Sequence, residues 1–104
     1  MSSQSIKIQL HLPSGDPNGS HLINGRNVKI HSVGALGGTG VSSSGSQYIS
    51  QANGIIELSS DWRGHHITQI YVYDEKGKTI YTLKNKVYVP QSGNNLVKVE
   101  LKRA

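Results

Sequence analysis

Apolar residues in this chain recur with a period of two, in short runs separated by turn formers at roughly ten-residue intervals. A period of two lines one face of a β-strand and cannot line one face of a helix, so this pattern more than any other feature limits the fold. In residues 5–12, Ile6, Ile8, Leu10 and Leu12 alternate with Lys7, Gln9 and His11, and Pro13 ends the run. Residues 13–25 are rich in turn formers, and Val28 and Ile30 alternate with Lys29 and His31 in a second strand over 26–32. Tyr48-Ile49-Ser50-Gln51 leads through Ala52-Asn53-Gly54 into Ile55-Ile56-Glu57-Leu58. The Asn-Gly step predicts a hairpin there, since both residues tolerate positive φ. The run His66–Tyr73 carries apolar residues on both faces, the mark of a central strand. Asp74–Gly77 makes a turn into Thr79–Leu83, Val87 and Val89 mark a short strand stopped by Pro90, and Ser92–Asn95 turns into a last strand with Val97, Val99 and Leu101.

Composition agrees with the pattern. Phe is absent, Met occurs only at position 1, and Ala stands only at Ala35, Ala52 and Ala104, so the core must come from Ile, Leu, Val and Tyr, mostly strand formers. The chain has 104 residues and no cysteine, which suits one domain and excludes a disulfide scaffold, thiol catalysis and zinc sites with sulfur ligands. The fold expected is all-β: an antiparallel β-sandwich of about seven or eight strands, immunoglobulin-like or transthyretin-like. Residues 1–104 are read as a single domain with a long Gly/Ser-rich loop over 34–46.

The succession Asn24-Gly25-Arg26-Asn27-Val28-Lys29-Ile30, a long loop, Gln51–Leu58, Gly64 before His65–Tyr73, and a closing Val97-Lys98-Val99-Glu100-Leu101 resembles the transthyretin-like group of sandwiches, the carboxypeptidase-regulatory-like and Cna-B-type domains, over about residues 5–102. The hydroxyisourate-hydrolysing branch of that group carries a C-terminal Tyr-Arg-Gly-Ser signature. This chain ends Glu100-Leu101-Lys102-Arg103-Ala104, so the resemblance does not extend to that activity. Cna-B-type domains often join a first-strand Lys to a last-strand Asn beside a buried acid. Lys7, Glu57 and Asn94 or Asn95 occupy comparable regions, but Lys7 lies opposite the aliphatic face of its strand and Ile70 stands where the acid is usual.

Several motifs invite chemistry and fall short of it. Of the five histidines, His11 and His31 sit on polar strand faces and could meet only if their strands pair. No ligand spacing completes a metal site with His21, His65 or His66. Asp16-Pro17-Asn18-Gly19 lacks the further acids of a calcium loop and reads as a turn, although Asn18-Gly19-Ser20 fits a glycosylation acceptor. Gly34-Ala35-Leu36-Gly37-Gly38-Thr39-Gly40 lacks the lysine and the helix that a phosphate loop needs. No serine lies in a nucleophile elbow, and the six carboxylates form no evident pair. No enzyme activity, catalytic residue, metal or cofactor is therefore expected. The net charge of +5 comes from scattered lysines without an aromatic strip among them, so nucleic acid is not an expected partner. No apolar stretch reaches membrane-spanning length and none resembles a signal peptide. Compartment stays open, extracellular or exported within a larger assembly being compatible.

The remaining cluster is Asp61-Trp62-Arg63-Gly64-His65-His66, which holds the chain's one Trp. Trp and Arg anchor interfaces because each supplies contact area and directed hydrogen bonds. Trp62, Arg63, His65 and His66 are therefore the candidate binding residues, against the plainer alternative that Trp62 plugs one end of the fold. The function expected is a non-enzymatic protein-binding or adaptor module of a secretion, surface or phage assembly. The alternatives are a structural subunit that self-assembles through edge strands and a carbohydrate-binding module using Trp62.

Overall fold

A computed structural model describes residues 5–13, 15, 24–33 and 46–104. Most of the loop over 34–46, the Asp16–Gly19 turn, the Asn18 acceptor and His21 lie outside the described residues. The described chain is β-rich, with strands β1 (Ile6–His11), β2 (Asn27–Val33), β3 (Ser46–Ile49), β4 (Ile55–Leu58), β5 (His66–Tyr73), β6 (Thr79–Leu83), β7 (Val87–Tyr88) and β8 (Leu96–Arg103). Two single 3-10 turns, Ala52–Gly54 and Ser60–Trp62, are its only helical pieces among the described residues. The strands sit where the alternation placed them, to within a residue or two at most ends.

Neighbouring strands follow the order β3-β2-β5-β6-β8-β1-β4, with β7 beside β5. The expected purely antiparallel sandwich is corrected here, because β1 and β8 run parallel, Lys7 opposite Leu96 through His11 opposite Glu100. Alternation assigns each side chain to a face and is blind to strand direction, so the sequence pattern could not have revealed this pair. Strands β3 and β4 form opposite ends of the path, yet only residues 50–54 separate them in the chain. A connection this short reaches at most about 20 Å. The sheet therefore curls until its ends approach one another, a near-closed mixed barrel around one core.

That core takes every second residue: Ile6, Ile8 and Leu10 from β1, Val28 and Ile30 from β2, Ile56 and Leu58 from β4, Val99 and Leu101 from β8. In β5 the alternation breaks. Ile67, Ile70 and Val72 are all buried, although the first two are three residues apart. The register shifts between His31 and Ser32, which face Gln69 and Ile67, so Thr68 has no opposite residue and its hydroxyl donates to the His31 carbonyl (3.4 Å). One extra residue resets the face on which the rest of the strand buries its side chains.

The predicted hairpin at Asn53-Gly54 is also corrected. Both residues do take positive φ, 65° and 72°, as the dipeptide favours. The strands on either side nevertheless do not pair: β3 joins β2 and β4 joins β1. The turn moves the chain from one end of the sheet to the other. The β5–β6 connection forms as read, with Gly77 at φ 84° and Asp74 Oδ1 accepting the Lys76 and Lys78 N–H groups at 2.8 and 2.9 Å.

Two outcomes test this arrangement. Ile8 lies at the centre of β1 between Ile56 and Val97 and is wholly buried. Ile8→Ala should cost about 2–5 kcal/mol, read as a lower urea midpoint at unchanged slope. The Lys78 N–H bond, joined by that of Lys76, holds the Asp74 carboxyl below its ordinary value of 3.8. A depressed folded value means that the stabilisation is complete above the unfolded pKa and is lost as pH falls through the folded one. The Lys76 and Lys78 amide shifts should then titrate with a midpoint below 3.8. A midpoint at or above that value would remove the turn's carboxylate clamp.

Candidate functional site

The segment between β4 and β5 is a tight turn held by its own backbone. Trp62 N–H donates to Ser59 O (3.1 Å), Arg63 N–H to Ser60 O (3.0 Å) and His65 N–H to Trp62 O (3.1 Å). Gly64, at φ 84°, lets the chain reverse and donate to Val89 O at 2.7 Å. These bonds send the four candidate side chains in different directions.

Trp62 is half-buried against the core and meets Tyr48 of β3 edge to face, ring centres 6.3 Å apart, with the His65 ring at 6.1 Å. It ties end strand β3 to the turn before β5 and keeps part of its indole in solvent. Its place is thus a plug with one exposed side. His65 is half-buried as well, its Nδ1 3.3 Å from the hydroxyl of the buried Ser32. Arg63 turns toward backbone: its guanidinium donates to Pro90 O (3.1 Å), Asn94 O (3.3 Å), Asn95 Oδ1 (3.1 Å) and, at 3.5 Å, Ser5 O. A planar fork suits several acceptors converging from different segments. Arg63 therefore clasps the 90–95 loop and the start of β1. His66 alone points outward, its ring 4.9 Å from that of Tyr88.

His66 belongs to a larger surface assembled from strands far apart in sequence. Residues paired across antiparallel strands share a face, so the outer side of β2, β5, β6 and β7 can be read row by row. Val33, His66 and Tyr88 form one row, and His31 and Gln69 a second. Lys29, Tyr71 and Thr82 form a third, and Asn27, Tyr73 and Thr79 a fourth. His31 meets Tyr71 edge to face at 5.8 Å, and the Tyr71 hydroxyl donates to Gln69 Oε1 at 2.9 Å. Tyr88 is 48% exposed, and Ile49 at the end strand beside Asn27 is 64% exposed. The signal lay in Tyr71 and Tyr73 alternating with Ile70 and Val72. Apolar character on both faces marked β5 as central, which it is, but no second layer among the described residues covers the outer face.

The meeting of His11 and His31, conditional on the pairing of their strands, does not occur. Strands β1 and β2 are not neighbours, and His11 Nε2 lies 3.2 Å from Gln9 Oε1 instead. Lys7 is exposed and stands opposite the exposed Glu57, on the solvent side that alternation assigns to it.

No protein-family model matches the chain, and no curated protein matches it. Among solved structures it is similar to a leucine-rich repeat protein from Bacteroides thetaiotaomicron, at 16% identity with a TM-score of 0.52. The match covers 99% of this chain and 12% of that one. The chain thus spans about an eighth of that protein's length, and the likeness concerns the fold alone.

The clasp is open to test. Arg63→Ala should cost about 1–2 kcal/mol, since its charge-assisted bonds run to one part-buried carbonyl, that of Pro90, and otherwise to exposed acceptors. Arg63→Lys should recover little of it, because an ammonium cannot span the same acceptors. Unchanged thermal stability in Arg63→Ala would return the residue to the binding candidates.

Proposed function

We propose that this chain is a non-enzymatic protein-binding module whose contact surface is the outer aromatic face of β2, β5 and β7. The observation that carries the reading is the gathering of His31, Tyr71, Tyr73, His66 and Tyr88 on one solvent-facing side of a sheet braced from within. Tyrosine suits protein contacts, offering apolar area and a hydroxyl at low rotamer cost. A sheet face presents these rings on a rigid frame, so little order has to be gained on binding. In the finer fold reading, β4-β1-β8 and β3-β2-β5-β6 act as two layers sharing β8, a transthyretin-like or immunoglobulin-like sandwich. The alternating β2 and β8 motifs support that kinship, and the parallel β1–β8 pair sets it apart from a plain antiparallel sandwich. Attachment to a secretion, surface or phage assembly goes with this reading as the setting for such a module.

A second reading, self-assembly through edge strands, draws on Ile49, which is 64% exposed on β3, a strand that pairs with β2 alone among the described residues. A sugar site at Trp62 has less support, since Tyr48, His65 and the core take up much of that indole.

The test pairs stability with binding. Tyr71→Ser with Tyr88→Ser should leave the melting temperature nearly unchanged, as surface substitutions do. It should also abolish saturable capture of the partner that the parent chain retains from its native extract. Capture undiminished in the folded double variant would sink the aromatic face. A parent that dimerises as concentration rises, and loses this in Ile49→Lys, would favour self-assembly.

A further inference from the structure

Strand β8 changes partner midway. Its first half, Leu96–Glu100, lies beside β1, and its last residues, Leu101–Arg103, lie beside β6. Where β1 ends at His11, Leu12 and Pro13 and β6 runs out at Lys84, the neighbouring segments part, leaving an open groove of about 510 Å³ over β8. Its outward residues on β8 are Lys98, Glu100 and Lys102, all exposed. Lys84 reaches in from the β6 end, its Nζ 3.6 Å from Glu100 Oε2, and its backbone N–H donates to the Glu100 carbonyl. Leu12 and Pro13 add an apolar wall.

The geometry points to this groove as a binding site for an extended acidic peptide segment, one carrying carboxylates at spaced positions. Lys98 and Lys102 lie on one face of one strand, roughly 13 Å apart at about 3.3 Å per residue. That span is too long for a single small anion and equals four residues of an extended peptide. Between them stands Glu100, already paired with Lys84. A nucleic-acid backbone carries a charge on every repeat and would set one against Glu100. A peptide can place neutral residues there and acids at either end. The apolar wall suits aliphatic side chains, and among the described residues the groove's one ring is the imidazole of His11, with no Tyr or Trp beside it to extend a stack of bases. The chain's net charge of +5 favours approach of such a segment. This site does not rest on the aromatic face, which lies on β2, β5 and β7.

The probe is a fluorescein-labelled extended peptide with two aspartates four residues apart and neutral residues between, followed by anisotropy at low and moderate salt. The whole chain should bind it in a salt-sensitive manner. Lys98→Gln with Lys102→Gln should weaken binding about tenfold or more. Lys76→Gln with Lys78→Gln removes the same charge from the distant β5–β6 turn and should weaken it by less than about twofold. A thymidine oligonucleotide should bind the parent more weakly than the peptide and gain on Glu100→Gln. Equal weakening by both lysine pairs, no binding at low salt, or an oligonucleotide preferred by the parent would each overturn the proposal. Tyr71→Ser with Tyr88→Ser should leave peptide binding intact, which separates failure here from failure of the aromatic face.

Discussion

Strand β8 hydrogen-bonds to β1 along its first half and to β6 along its last residues, and the exchange of partners joins the two parts of the sheet. Without it, β4 and β1 would carry Ile6, Ile8, Ile56 and Leu58 on an isolated two-stranded ribbon, too small to stand alone in water. With it, these aliphatics face Val28, Ile30, Ile70 and Val72 across a common interior. A parallel pair between the first and last strands also means that the core closes only after the whole chain is in place. Its contacts are mostly long-range in sequence, the kind that makes folding slow rather than the product less stable.

The turn before β5 serves this frame. Trp62 bridges it to β3, Arg63 bridges it to the 90–95 loop and the start of β1, and Gly64 and His65 exchange backbone bonds with Val89. The Arg63 guanidinium thus meets backbone carbonyls and the Asn95 side-chain oxygen, and His65 meets the Ser32 hydroxyl, so these partly buried polar groups are hydrogen-bonded. The surfaces proposed for recognition lie outside this brace. They are the aromatic rows of β2, β5 and β7, and the lysine-edged groove where β1 and β6 part over β8.

Much of the candidate site was hidden in the sequence for one reason: spacing within a strand says which side chains share a face, and not which strands are neighbours. Trp62, Arg63, His65 and His66 are close in the chain and form one cluster in sequence, yet the tight turn directs three of them inward or along the surface and only His66 outward. Tyr88 and His31 join His66 and Tyr71 from strands far away in sequence. The groove has the same origin, since Lys84 approaches Lys98 and Lys102 only because β6 lies beside the end of β8. Asn53-Gly54 shows the limit from the other side. The dipeptide specified its own positive φ angles and not the partners of the strands it links.

By itself, the period-two alternation determined the strands and the inward faces of β1, β2 and β8, because burial of Ile, Leu and Val on one side of a pleated strand is a local pattern; the bulge that buries Ile67 together with Ile70 and Val72 in β5 lies outside that pattern. Only the tertiary structure decided strand direction, strand order and the near closure of the sheet. Those depend on which edges meet and on the five-residue reach between β3 and β4, and alternation takes the same form in a parallel or an antiparallel pair, in a sandwich or in a barrel.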